Sequence, residues 1–243
     1  MTQPLLIGIS GPSSSGKTTL SRLLRDTFPP QHLTILHLDD FYLPDAEIPL
    51  KNNIQDWDCI ESLNLPLLHS TLAHIKQNGT VPADFVSKED QNSVGQHGVS
   101  TSAIEKLRER VTTKVKGRGW DRKIVIVDGF LLFSEEMKDI RELFDVRLFL
   151  RTSYATAKRR REARSGYVTL EGFWEDPPGY VDQIVWPNYV KDHKFLFEAG
   201  GVERELDAGV CRELGIKGMP REAEGDMERC LEWAVGVLQT VIE

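Results

Sequence analysis

The chain begins with an uninterrupted apolar run, Leu5-Leu6-Ile7-Gly8-Ile9. A run this short predicts a strand buried on both faces of a parallel sheet. After a glycine-rich stretch, residues 18–28 carry Leu20, Leu23 and Leu24 at helical spacing, which predicts a helix. Further strands are predicted at 33–38, ending in Asp39-Asp40, at 124–127, ending in Asp128-Gly129, and at 146–150, ending in Arg151. A fifth is expected at 202–206 on weaker apolar spacing. Met227, Leu231, Ala234, Val235, Leu238, Val241 and Ile242 recur at helical intervals and predict a closing amphipathic helix. Strands alternating with helices give an α/β class: three α/β/α layers around a parallel sheet. The length of 243 residues fits one domain, 1–243.

Residues 81–120 break this rhythm. The stretch is polar, with Gly95, Gly98, Gly117 and Gly119, and a helix is predicted at 102–116. It reads as a surface excursion or lobe.

In open α/β sheets, ligands bind beyond the carboxyl ends of the strands. The strand ends put Asp39, Asp40, Asp128 and Arg151 around one crevice, and the loop after the first strand specifies its chemistry. Gly11-Pro12-Ser13-Ser14-Ser15-Gly16-Lys17-Thr18 is a G-x-x-x-x-G-K-[ST] motif between a buried strand and an amphipathic helix. Its glycines let backbone N–H groups turn toward phosphate oxygens. Lys17 then reaches the β- and γ-phosphates, and the Thr18 hydroxyl can ligand Mg²⁺. The expected fold is therefore that of a P-loop NTPase.

Asp128 follows four apolar β-branched residues, the position of an acid that organises Mg²⁺. Asp39 is the candidate base, a carboxylate able to accept the proton of an attacking hydroxyl, and it could also contact the metal. Asp40 reads as a cap on the next turn. The basic run Lys158-Arg159-Arg160-Arg161, with Arg164 beyond it, places Arg160, Arg161 and Arg164 on one helical face. Converging arginines suit a lid, about 158–180, that closes over a transferring phosphoryl group.

Composition narrows the possibilities. A net charge of −7 argues against non-specific nucleic-acid binding. Cys59, Cys211 and Cys230 form no CxxC pair, which argues against a disulfide framework or zinc site and fits a reducing compartment. The histidines at 32, 37, 69, 74, 97 and 193 lack metal-ligand spacing and read as surface or capping residues. The first residues carry no basic leader, and no apolar run is long enough to span a membrane, so the expected location is cytoplasmic. An N-K-x-D guanine motif is absent, which disfavours a GTPase.

Several blocks together resemble the nicotinamide riboside kinases, within the uridine kinase-like P-loop group. They are Gly8-Ile9-Ser10-Gly11 through Thr19, Asp39-Asp40-Phe41-Tyr42, Asp56-Trp57-Asp58, Val127-Asp128-Gly129-Phe130-Leu131-Leu132-Phe133, and the basic run continuing to Asp176-Pro177-Pro178-Gly179-Tyr180 and Val185-Trp186-Pro187. In order and spacing the chain looks most like the fungal branch.

The resemblance implies transfer of the ATP γ-phosphoryl group to the 5′-hydroxyl of nicotinamide riboside, with Mg²⁺ as cofactor. Nicotinic acid riboside is a plausible second acceptor. It implies ATP contacts from Gly11, Ser13, Ser14, Ser15, Gly16, Lys17, Thr18, Thr19, Arg160 and Arg164. Asp39 would be the proton acceptor, and the block Asp39, Asp40, Phe41, Tyr42 would lie at the acceptor. Trp57 would stack on the nicotinamide ring, Asp58 and Arg161 would hold the ribose hydroxyls, and Tyr167 would cover the other side. Metal contacts would come from Thr18, Asp39 and Asp128. Asp128 stands where some relatives have Glu, and the shorter acid would act through water. The lid is longer than in compact relatives, with Ser165-Gly166 before Tyr167 and Phe173-Trp174 beyond, so which aromatic closes on the ring stays open.

Trp is the best side chain for a cation–π face, and the acceptor's pyridinium ring is positive. Asp56 and Asp58 beside Trp57 would add a favourable field. The competing readings are a uridine–cytidine kinase and a regulatory protein that binds ATP without catalysis.

Overall fold

The computed structural model describes residues 3–29, 32–87, 97–118, 120, 122–164, 166–169 and 172–241. Strand β1 (Leu5–Ser10), buried throughout, runs through the glycine-rich loop into α1 (Lys17–Thr27). Next come β2 (Leu33–His37), a 3-10 turn over Leu38–Phe41, and the hairpin of β3 (Leu50–Lys51) and β4 (Ile54–Gln55). Helices α2 (Leu65–Asn78) and α3 (Thr101–Arg118) lead to β5 (Ile124–Asp128). The short α4 (Lys138–Arg141), β6 (Val146–Phe149) and α5 (Tyr154–Glu162) follow. A second hairpin, β7 (Tyr167–Val168) and β8 (Phe173–Trp174), precedes α6 (Trp186–His193). Then come α7 (Ala208–Glu213), β9 (Ile216–Gly218) and α8 (Met227–Val241).

β1, β2, β5, β6 and β9 form one sheet in the order β2-β5-β1-β6-β9, with every pair parallel. Successive side chains of β1 point to opposite faces. Leu5, Ile7 and Ile9 meet α1, α3 and α8, while Leu6 joins a second core with α2 and Tyr189. Helices cover both faces, which is why β1 and β5 can be apolar at almost every position.

Two expectations change. Residues 202–206 form no strand; Leu206 makes only an isolated bridge to Phe197. The fifth strand is β9, an edge strand whose Lys217 is exposed and whose only fully buried side chain is Ile216. So short a run has no apolar pattern to read. The supposed surface lobe, in turn, contributes a structural layer. The stripe Leu107, Val111 and Val115 of α3 is buried against Leu20 and Leu23 of α1 and Leu231 of α8. One apolar residue per turn, set among charges, buries a helix that reads as polar overall. Phe85, upstream, stacks on Phe41 with centroids 5.5 Å apart.

Ile242, Ser165, Gly95 and Gly119 lie outside the described residues. The cysteines at 59, 211 and 230 are free thiols. Among the described residues, no helix is long and apolar enough to cross a membrane.

Candidate active site

The glycine-rich loop turns through backbone angles that favour glycine, with φ 143° at Gly11 and 97° at Gly16. A Cβ at Gly11 would run into the carbonyl oxygen of Leu150. Lys17, the first residue of α1, folds back across the loop and donates to the carbonyls of Gly11 (3.0 Å) and Pro12 (2.8 Å). Burial lowers its pKa to about 8, against the pull of Asp128 and Asp39. The buried Ser14 hydroxyl has no hydrogen-bond partner among the described residues.

A cleft opens beside this loop. Ser13, Ser14, Lys17 and Thr18 line it, and so do Asp39 and Asp128 from the ends of β2 and β5. Tyr42, Trp57, Asp58 and Phe130 complete its floor. Gly11, Ser15, Gly16 and Thr19 stand behind this lining, in the loop and the first turn of α1. Thr18 Oγ1 lies 3.5 Å from Asp128 Oδ1. Burial, reinforced by the charge of Asp128, raises Asp39 to a pKa of about 6.

The block after Asp39 divides. Tyr42 faces the cleft and meets Trp57 edge-on at 5.2 Å. Asp40 and Phe41 do not line it: Asp40 accepts a 2.7 Å bond from Ser87, and Phe41 is fully buried in the core. The tight 3-10 turn after β2 rotates neighbouring residues to opposite sides. Asp56 also turns away, accepting from Asn188 Nδ2 at 2.9 Å and from the Asp58 backbone N–H at 3.0 Å.

Arg161 closes the site from α5. It donates to both oxygens of Asp58 (3.0 Å each), to both oxygens of Asp176 (2.7 and 3.1 Å) and to Ser13 Oγ (2.7 Å). The rings of Tyr167 and Tyr180 flank its guanidinium at 5.0 and 5.5 Å. Burial opposes its charge, but Asp58, Tyr167 and Asp176 outweigh it and hold Arg161 protonated. The Asp58 carboxyl is pushed up by burial against the same ion pair. Arg160 reaches the Ser14 carbonyl at 3.4 Å, outside the lining, and Arg164 lines the cleft while donating to Tyr167 OH at 2.7 Å. The structure thus brings all three lid arginines to the P-loop side.

Several residues stand elsewhere than expected, or carry more than their sequence context suggests. Arg151 does not face the crevice; its buried side chain pairs with Glu205 at 2.9 Å and with the Arg204 carbonyl. His37 and His193 are buried core residues, not surface or capping ones. His37 Nδ1 contacts both oxygens of Asp128, and burial lowers the His193 pKa to about 4. A histidine at the last position of a strand, level with the acid that ends the neighbouring strand, was the available signal for His37. Asp176, Tyr180 and Trp174 also belong to the site, with Tyr180 OH accepting from the Trp57 backbone N–H at 2.9 Å.

No family model matches the chain. A nicotinamide riboside kinase of Schizosaccharomyces pombe is 43% identical over 202 residues, covering 83% of this chain and 84% of that protein. One from Saccharomyces cerevisiae is 34% identical over 232 residues, covering 94% and 93%. Human nicotinamide riboside kinase 2 is 32% identical over 200 residues, covering 82% and 71%. Among solved structures, a possible uridine kinase from Bacillus stearothermophilus overlaps 79% of this chain and 83% of its own, at 16% identity and a TM-score of 0.44. With 43% identity running through more than four-fifths of both chains, this chain belongs to the nicotinamide riboside kinase family.

Proposed function

We propose that the protein transfers the γ-phosphoryl group of ATP to the 5′-hydroxyl of nicotinamide riboside, forming nicotinamide mononucleotide in NAD salvage. Nicotinic acid riboside is proposed as a second acceptor. One observation carries this reading: a phosphate-binding lysine, an acid of raised pKa and an aromatic floor share one cleft, as Lys17, Asp39 and Trp57.

Phosphoryl transfer needs positioning and electrostatic stabilisation more than covalent chemistry. The P-loop amides, Lys17 and the arginines Arg160 and Arg164 hold the donor phosphates. Asp39 accepts the proton of the 5′-hydroxyl as its oxygen bonds to the γ-phosphorus and ADP leaves. Trp57 and Tyr42 support the ring, and Asp58, held by Arg161, meets the ribose hydroxyls. Tyr167 covers the acceptor from the lid.

The donor set fits Mg²⁺: Thr18 and Asp128 offer hard oxygen ligands, and a cation beside Asp39 would offset both the burial and the Asp128 charge that raise it. Among the described residues, no group of three or more His, Cys, Asp and Glu side chains is placed to hold a metal. Thr18 and Asp128, with Asp39 alongside, therefore would hold Mg²⁺ together with phosphate oxygens, as is usual for this ion. When bound, it neutralises charge on the transferring phosphoryl group.

Coupled ADP release across a panel of nucleosides tests the reading. Nicotinamide riboside is expected to give the highest kcat/KM, and a preference for uridine would overturn it.

A further inference from the structure

The lid hairpin offers several aromatic residues, and the structure separates them. β7 and β8 pair antiparallel, with Tyr167 opposite Trp174 and Val168 opposite Phe173. Directly opposed residues share a face of a two-stranded ribbon. Tyr167 and Trp174 both line the cleft, whereas Phe173 is 60% exposed outside it.

Trp174 stands at the acceptor end of the cleft. Its ring lies 5.7 Å from Trp57, tilted by 47°, and 5.8 Å from Tyr180. Two indoles that close touch each other, so no third ring fits between them. They form one angled aromatic surface, with Trp57 fixed in the body of the protein and Trp174 carried by the lid. The indole Nε1 of Trp174 is already committed, donating to Asp176 Oδ1 at 2.9 Å. What Trp174 shows the cleft is therefore π surface without a hydrogen-bond donor. Such a surface cannot read the polar edge of a base, but it favours a ring that carries positive charge.

We propose that Trp174 is a specificity-determining residue of the acceptor site, selecting a cationic over a neutral base through its π face. This rests on the nucleoside kinase reading above and deepens it. Trp174 adds a second wall to the floor made by Trp57. The same Asp176 that takes the Trp174 N–H holds Arg161, so the ring-reading wall and the residue tying the lid to Ser13 share one anchor.

The test compares Trp174→Leu with Trp174→Phe, measuring kcat and KM for nicotinamide riboside, uridine and ATP. Trp174→Leu is expected to raise the nicotinamide riboside KM about 10-fold, as loss of a desolvated cation–π contact does. The KM values for ATP and uridine should change less than about threefold, so selectivity for the cationic base falls. Trp174→Phe keeps a π face and loses the N–H, and is expected to restore most of the difference. If Trp174→Phe is as impaired as Trp174→Leu, the bond to Asp176 matters and the π-face proposal is overturned. Equal KM increases for all three substrates, or an unchanged nicotinamide riboside KM, overturn it as well. Failure of the wild-type protein to phosphorylate nicotinamide riboside would instead sink the functional reading, and is seen before any variant is made.

Discussion

The Nδ1 atom of His37 lies 3.1 Å from each carboxylate oxygen of Asp128, and the two residues are register partners at the ends of adjacent parallel strands. The imidazole is 1% exposed, so the contact is dry. It fixes the orientation of a short acid that also lies 3.5 Å from Thr18 Oγ1. Outer-shell partners of this kind typically matter 10- to 100-fold for metal affinity or activity. His37→Ala is therefore expected to raise the Mg²⁺ concentration for half-maximal rate about 10-fold, with little change in nucleoside KM. A magnesium titration at saturating ATP and nucleoside measures it; an unchanged requirement would show that Asp128 needs no such support.

Asp39 is raised to a pKa of about 6, chiefly by burial and then by Asp128. A general base must be ionised, so kcat/KM should fall as pH drops below about 6 and level off above it. Asp39→Ala should remove most turnover while ATP binding, followed by calorimetry, survives.

The same shift has a consequence for stability. A carboxyl whose folded pKa exceeds its unfolded value favours folding when protonated, and that contribution is lost as pH rises through about 6. At pH 7 the ionised group therefore destabilises the ligand-free protein. Asp39→Asn should stabilise the protein at pH 7 by an amount on the order of 2–3 kcal/mol, seen as a raised Tm. The gain should vanish by about pH 3 and below, where wild-type Asp39 is protonated in the folded and in most of the unfolded state. A Tm gain of equal size at both pH values would contradict this.

Trp57 is 4% exposed and lines the acceptor end of the cleft. Trp57→Ala is expected to raise the nicotinamide riboside KM by about 10-fold or more and the ATP KM far less. Steady-state kinetics with each substrate varied in turn decides; equal effects would count against ring stacking.

Arg161 is buried between two carboxylates, and removing one partner of a buried ion pair is costly. Arg161→Ala should destabilise the protein by about 3–5 kcal/mol in urea unfolding, and adding Asp58→Asn should recover part of that loss. Arg161→Lys keeps the charge but cannot fork onto Asp58 and Asp176 together, so only partial rescue is expected.

Long apolar runs made much of the fold legible. β1, β5 and β6 are bordered by buried aliphatic residues, and α8 carries a wide apolar stripe. β9 was not legible because an edge strand of three residues leaves no period to detect. The stripe of α3 was hidden by its charged flanks. In the site, the P-loop, Asp39, Asp128 and the lid arginines could be placed from spacing and context, and Trp57 from the family resemblance alone. Asp40 and Arg151 could not, because a single turn of backbone decides whether a strand-end charge faces the crevice or a neighbouring loop. His37 escaped notice since its role depends on a cross-strand partner far away in sequence.

The position of β1 at the centre of the sheet bears on how the protein comes to exist. Its neighbours are β5 and β6, with Leu5 opposite Ile124 and Ile7 opposite Val146. The strand that carries the phosphate loop is thus synthesised well before either strand that flanks it. The helix behind the loop must wait still longer, since α1 packs on α8 and Met227 lies against Gly16. Contacts so distant in sequence form slowly and leave apolar surface open in the meantime. A nascent chain would therefore carry the phosphate loop unsupported for most of its synthesis. Damage to the last helix would be felt first at the loop made earliest.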